Sequence, residues 1–450
     1  VDPTKPVDPT KPVDPTKPVD PTKPVDPTKP VDPTKPVDPT KPVDPTKPTP
    51  EPAKPKVKLP KELDDAKDIL NSLLLSDEGN VNTAIVTTLS LALENDDVVI
   101  RDQSIKVLTN LVREVKKNKP NVYKPTKTFN IETKRVINKD MMLNPTKNSP
   151  MVTANAMKYL DGTKLASNSD DLRYLIDLID REIYKNSFNI SAIGAKNNES
   201  GHSHNLAGGV VSFNKMFDST LVGGYFSYAK ADSNNKVNIK SDLYEIGLYA
   251  RKYVENNEFD LSIGYGIGNN KADYNLKLLG SNLSYKGKFD SDYLTAGIAY
   301  GYKFNTSDNF IIKPFIGLDY FDYTQDSFTA STNHKDVGNL TQTFDKSKFK
   351  NLQANLGLEM LYNNKNITLY ARPYIARDIY QRNNGMRSYF GSSNYYFMLN
   401  EEARKRTSFV FDFGIQTEIS RNLFINIGGG IYLNKDDKIY NGQIGFTYRF

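Results

Sequence analysis

The chain of 450 residues has no cysteine, no tryptophan and only three histidines. Nor does it contain a run of about 18 uncharged apolar residues, the minimum for a helix that crosses a bilayer. A helical membrane protein is therefore excluded. Mean hydropathy is low, −0.56, but this leaves a membrane β-barrel open. A barrel strand needs only every second residue apolar, because the alternate residues face a polar lumen. The lack of thiols suits export into an oxidising compartment. The net charge of +6 is small for the length and no basic cluster stands out, so nucleic acid is not an expected partner. The sequence opens at Val1 inside a repeat, without Met or an export signal, and is expected to be a piece of a longer precursor.

Catalytic signals are also scarce. His202 and His204 fall at i, i+2 in an expected outer loop, with no further ligands in sight, and His334 stands alone. No Ser or His is framed by partners that would make a nucleophile or activate water. The glycine run at 264–268 has strand context, wrong for a phosphate-binding loop. The expectation is no enzyme activity, no catalytic or metal site and no cofactor.

What the chain does contain changes character along its length. Residues 1–48 are eight copies of Val-Asp-Pro-Thr-Lys-Pro. Two prolines in every six residues block helix and sheet alike and leave polyproline II. At about 3.1 Å per residue the repeats reach on the order of 150 Å. They read as a spacer over 1–58, although each copy also contains a P-x-x-P motif that an SH3-like partner would bind. Residues 59–119 carry apolar residues at helical spacing, including Ile69, Leu70, Leu73, Leu108, Leu111, Val112 and Val115, and predict a small helical module. Residues 120–166 show little periodicity and read as an irregular stalk. Within 167–186, Ser169 is a candidate N-cap. Leu172, Ile176, Ile179 and Ile183 form a stripe, which predicts a helix over 170–186 about 25 Å long.

From residue 187 to 450 the period switches to two. Tyr440, Gly442, Ile444, Phe446, Tyr448 and Phe450 alternate with Asn441, Gln443, Gly445, Thr447 and Arg449. The same pattern predicts twelve strands, at 187–197, 204–214, 219–230, 240–254, 258–270, 289–304, 309–323, 349–363, 366–379, 405–419, 422–433 and 440–450. Short connections alternate with longer ones at 271–288, 324–348 and 380–404. That alternation favours an all-β transmembrane barrel of about twelve antiparallel strands over a soluble sandwich. Glu245, Arg251, Asp319, Glu359, Arg372, Asp412 and Glu418 fall opposite the apolar stripe. A dry core would not tolerate these charges unpaired, whereas a wet lumen would. Gly264, Gly266, Gly268 and Gly414 share that inner face. They either make room for a helix in the lumen or relieve strand coiling.

A helix feeding twelve strands that end in Phe-Thr-Tyr-Arg-Phe resembles the autotransporter β-domain, the translocator of type V secretion in Gram-negative bacteria, over about residues 165–450. The Asn/Lys/Tyr-rich composition and the repeats look similar to the surface cell antigens of Rickettsia. The resemblance implies a location in the bacterial outer membrane, with the N-terminal part exposed at the cell surface. It implies a helix threading the pore (Leu172, Ile176, Ile179, Ile183) and a passenger displayed outside. Phe446, Tyr448 and Phe450 look like the signal by which the barrel-assembly machinery receives its clients. Some members cut themselves at an Asn-Asn bond in the helix. Here the helix has no such pair, and Asn197-Asn198 lies beyond the first strand in an expected loop, so no cleavage residue is carried over. The leading expectation is a translocator that anchors and exports its own passenger. The alternative is a porin-like or adhesin barrel whose stalk binds host-cell proteins.

Overall fold

The structure, a computed structural model, describes residues 66–76, 79–144 and 186–450, except for 200–201, 235, 279, 308, 333–339, 365–366, 400–405 and 421. The repeats at 1–48 and residues 170–185 of the helix expected at 170–186 lie outside the described residues. Among the described residues four helices come first: α1 (Lys67–Leu74), α2 (Gly79–Leu93), α3 (Val98–Lys117) and α4 (Tyr123–Leu143). The carboxylate of Asp97 caps α3 by accepting from the Val99 and Ile100 amides. Ile69, Leu70 and Leu73 of α1, Ile85 and Leu89 of α2 and Leu108, Leu111 and Val115 of α3 are buried in one cluster.

Seventeen strand segments follow among the described residues. Twelve make the wall: β1 (Asn186–Glu199), β2 (His202–Phe217), β3 (Thr220–Asn234), β4 (Val237–Val254), β5 (Asn257–Leu278), β6 (Ser281–Tyr302), β8 (Phe310–Gln325), β11 (Ser347–Asn364), β12 (Ile367–Asn383), β15 (Thr407–Ser420), β16 (Leu423–Leu433) and β17 (Asp437–Arg449). β7 (Phe304–Ser307), β9 (Phe328–Ser331), β10 (Thr341–Phe344), β13 (Met386–Phe390) and β14 (Phe397–Leu399) are short extensions. Each wall strand pairs antiparallel with the next, and β1 pairs with β17 to close the barrel. At the seam Asn186 N–H donates to Phe450 O at 2.9 Å and Phe450 N–H donates to Asn186 O at 3.0 Å. Closure leaves no open sheet edge, as a hydrocarbon environment demands.

At the end where the chain closes, the turns are tight. Asp218, Glu255 and Asn422 adopt positive φ of 45°, 53° and 74°, the left-handed region that two-residue hairpins require. At the opposite end the sequence-based loops need correction. Residues 271–288 are not a loop: β5 and β6 continue as one long hairpin that turns at Gly280 (φ 96°). Much of 324–348 and 380–404 is likewise strand, in β8 to β14.

The reason lies in the phase of the alternation. Leu261, Ile263, Tyr265 and Ile267 point outward and are 44–56% exposed. Further along the same strand the outward residues are Lys271, Asp273, Asn275 and Lys277, and Ala272, Tyr274, Leu276 and Leu278 are buried inside. The flip occurs in register on neighbouring strands, across the row Lys230–Asp242–Asn269–Asp290. Below it lies an apolar outer belt. Ile246, Leu248, Ile298, Ile316 and Leu356 are each more than half exposed there, which water would not tolerate over so continuous a surface. From Asp242 to Lys252 the belt is about ten residues tall, the span of a tilted membrane strand. Above it β5 and β6 project roughly 30 Å at about 3.3 Å per residue.

Candidate functional site

The lumen is occupied by α4. Residues 120–166 were expected to be irregular, and the structure corrects this: 123–143 form a continuous helix. The segment has no apolar stripe because the helix meets a polar wall on most sides, so the usual periodicity is missing. Pro125 sits in the first turn, where its absent N–H costs nothing. Asn121 Oδ1 accepts from the Tyr123 amide at 2.8 Å. Pro145 then forces Asn144 out of the helical region, to φ −78° and ψ 120°.

Each turn of α4 is fixed to the wall. Near its start, Gln325 Nε2 donates to Pro120 O at 2.9 Å, and the Tyr123 ring lies 3.9 Å from that of Phe349. Thr128 Oγ1 and His204 Nε2 are 2.9 Å apart. His204 is thus a buried lumen residue of β2 rather than the loop residue expected, and no cluster of metal-ligating groups occurs among the described residues. In the middle, Asn130 Nδ2 donates to Glu245 Oε1 at 3.2 Å, and the hydroxyls of Tyr225 and Tyr293 donate to the same carboxylate at 2.7 and 2.6 Å. Lys134 Nζ meets Asp319 at 2.7 Å. Arg135 bridges Asp412 at 2.5 Å and Glu132 at 3.0 Å. Near the end, Ser212 Oγ donates to Asp140 Oδ2 at 2.6 Å. The last carbonyls of the helix face two wall cations. Arg251 Nη1 donates to Met141 O at 3.2 Å and Arg449 Nη2 to Leu143 O at 2.8 Å, charges that suit the negative end of the helix dipole.

The inner-face residues read from the sequence fall into distinct roles. Glu245 and Asp412 hold α4 directly. Glu359 and Arg372 pair with each other at 3.2 Å instead. They belong to a balanced wall cluster in which Arg251, Lys313 and Arg372 face Glu258, Asp260 and Glu359. Glu418 is only partly buried, opposite inward-facing Phe424 near the short-turn end. The glycines make room chiefly for tyrosines. A Cβ on Gly266 would lie 2.2 Å from the Tyr293 ring, one on Gly264 2.4 Å from the Tyr225 hydroxyl and one on Gly414 2.4 Å from the Tyr370 hydroxyl. The rings lie flat along the wall and leave the axis to the helix. Phe446, Tyr448 and Phe450 point outward, 45–51% exposed, at the short-turn rim. Tyr249 and Tyr370 are buried inside.

Sequence reasoning missed Asn130, Lys134 and Arg135. A usable signal was present, because inward carboxylates at Asp319 and Asp412 demand cationic partners and adjacent Lys134 and Arg135 supply them.

A family model described as the C-terminal domain of the vacuolating cytotoxin autotransporter VacA matches residues 141–450. A vacuolating cytotoxin autotransporter of Helicobacter pylori strain J99 is 27% identical over 192 residues, 40% of this chain and 14% of that protein. A second, from Helicobacter pylori, is 24% identical over 247 residues, 52% of this chain and 16% of that protein. The chain therefore spans a small fraction of these relatives. Among solved structures, the translocator domain of autotransporter NalP from Neisseria meningitidis aligns with TM-score 0.49 and 15% identity, covering 66% of this chain and 98% of that one. The β-domain of the Bordetella autotransporter BrkA aligns with TM-score 0.39 and 11% identity, covering 59% and 100%. None of these matches bears on the likeness to rickettsial surface antigens.

Proposed function

The chain belongs to the family of vacuolating cytotoxin autotransporter C-terminal domains, and from that premise we propose that its outer-membrane barrel exports the polypeptide attached in front of it and keeps α4 in the lumen as the linker. The observation that carries this reading is the direction of α4. Its first residues sit among Phe321, Tyr323 and Gln325 at the long-hairpin end. Its last residues sit against Arg449 and Asn214 at the short-turn end, where Asn186 and Phe450 also lie. Outer-membrane barrels keep short turns on the periplasmic side and long loops outside. The chain before Tyr123 then lies outside the cell, joined to the barrel through the pore. A porin would leave this lumen open.

The reading extends to partners. Phe446, Tyr448 and Phe450 are offered to the barrel-assembly machinery as an outward aromatic row. The repeats at 1–48 hold the passenger away from the surface, where host-cell proteins are its accessible partners. Export draws on the wall and the linker, with no catalytic group and no cofactor. The test is topology in intact cells. Protease added outside should remove the repeats and spare the barrel, and a Ser307→Cys variant should resist an impermeant thiol reagent. Labelling of that cysteine from outside would overturn the orientation and the export route with it.

A further inference from the structure

α4 does not fill the lumen. It packs toward β1, β2, β3 and β4, and a cleft runs along its other flank from Lys127 to Met141, floored by Asp260, Asp319, Asn355 and Arg372. That is roughly 20 Å of helix length at 1.5 Å per residue. Ile131, Ile137 and Met141 share the cleft's lining, but the Lys134 and Asp319 side chains keep 19% and 35% of their surface exposed, so the cleft admits water. Above Tyr123 the interior changes. Tyr274 stacks on Tyr285 at 5.1 Å, Phe289 on Phe328 at 4.3 Å and Phe328 on Phe344 at 4.8 Å. The helices α1 to α3 close over this aromatic collar. Ile69, Leu70 and Leu73 are at most 1% exposed, and Phe390 N–H donates to Ser72 Oγ at 2.8 Å. Gly391 (φ 55°) lies so close to α1 that a Cβ there would sit 2.0 Å from Ser76 O. On the α3 side, Asn118 Nδ2 donates to Asn275 O at 3.0 Å.

We propose that α1, α2 and α3 have a function of their own: with the aromatic collar they form the seal that keeps small solutes out of the pore, and α4 beside its wet cleft does not. Apolar constrictions stop ions by excluding water, without needing to be narrow throughout. The collar is dry and the cleft is not, so the barrier belongs at the collar. The inference rests on the orientation argued above, but its test needs only an inserted barrel. Failure of the topology experiment would therefore reverse the side of the seal and leave its place in the fold standing.

The test exploits the absence of cysteine in the chain. Thr133 Oγ1 and Ser227 Oγ are 3.1 Å apart, so a Thr133→Cys, Ser227→Cys pair staples α4 to β3. In planar bilayers with potassium chloride, the oxidised, stapled chain should conduct little. Adding Leu70→Asp and Leu73→Asp, which undock α1, should raise its conductance several-fold while α4 stays stapled. Protease cleavage between α2 and α3 reports undocking, and heat-dependent electrophoretic mobility reports an intact barrel. A stapled chain that starts at residue 119 serves as the second variant and should conduct as the undocked one does. If the truncated chain conducts no more than its stapled parent, the seal lies at α4 and the inference is wrong.

Discussion

The two halves of strand β5 are a controlled comparison. From Leu261 to Ile267 the apolar side chains point out and the inward positions are Ser262, Gly264 and Gly266. From Lys271 to Leu278 the outward positions are charged or polar and Ala272, Tyr274, Leu276 and Leu278 are buried. The backbone ladder with β6 continues unbroken through both. The backbone is the same and only the solvent differs. The lower half has lipid outside and a polar helix inside. The upper half has water outside and its own aromatic core inside. One closed sheet is thus a membrane barrel for half its height and a water-soluble β-structure for the rest. The side chains at each level record which medium lies on which side.

The sharpest way to break the lower half from within is to remove one charge of the helix. Arg135 serves two carboxylates, Glu132 and Asp412, and all three side chains are at most 8% exposed. Arg135→Met leaves two buried negative groups uncompensated, with an expected cost of about 3–5 kcal/mol. Urea unfolding in detergent micelles measures it. The triple variant Arg135→Met, Glu132→Gln, Asp412→Asn should recover much of the loss. If it is as unstable as the single variant, the ion pairs are not what hold α4.

The comparison is tested more directly on the outer face. Ile263→Arg puts a charge against lipid near mid-belt and should cost about 2–4 kcal/mol. Asp273→Arg lies on the same face of the same strand above the boundary and should stay within about 0.5 kcal/mol. On β16, Ile427→Arg should behave like Ile263→Arg, and Asn426→Arg should report the lumen instead. Equal damage at 263 and 273, read as folded fraction by heat-modified mobility, would mean that the belt does not end at the row of Asn269.

The same comparison explains what could be read from the sequence. The lower half was legible, because its strands pair strict alternation with a uniform outer stripe. The twelve-strand order, the short turns and the inward placement of Glu245, Arg251 and Asp412 follow from that. The upper half was hidden by the phase flip. Ala272, Tyr274, Leu276 and Leu278 alternate as regularly as the membrane segment, but on the opposite face, and so break the stripe and look like a loop. α4 was hidden for a related reason. An apolar stripe marks a helix with one dry side, and a helix in a polar lumen has none. The stripe at Leu172 to Ile183 lies outside the described residues, whereas the lumen is occupied, among the described residues, by the Thr-, Asn- and Lys-containing α4. The family match begins at residue 141, in the last turn of α4, so most of the linker lies in the part of the chain outside that match.

A smaller effect belongs to the junction of cap and collar. Gly391 combines a left-handed φ of 55° with contact against the Ser76 carbonyl. Gly391→Ala meets both obstacles and should cost about 1–3 kcal/mol, borne by docking of α1 rather than by the barrel. Faster proteolysis of the helices, with unchanged barrel mobility, is the expected result. Loss of the barrel itself would mean that cap and wall fold as one cooperative unit.

The smallest expected effect is at the water-exposed tether between α3 and the β3–β4 hairpin. Lys236 Nζ donates to Glu114 Oε1 at 3.0 Å. That hydrogen bond, aided by the ammonium charge, holds the Glu114 carboxyl below its usual range. The sign of the pH dependence follows. A carboxyl whose pKa is lowered by folding contributes its full stabilisation above its ordinary pKa, and the contribution fades as pH falls through the lowered one. Both side chains are partly exposed, 45% for Lys236 and 28% for Glu114, so the pair is worth at most about 1 kcal/mol, and less in high salt. Lys236→Ala should therefore speed cleavage of the cap slightly at neutral pH and low ionic strength. The difference from the parent should vanish in acid or in molar salt. In a buried, desolvated tether the difference would persist in salt, and Glu114 would then count with the lumen charges rather than with the water-facing surface of the upper half.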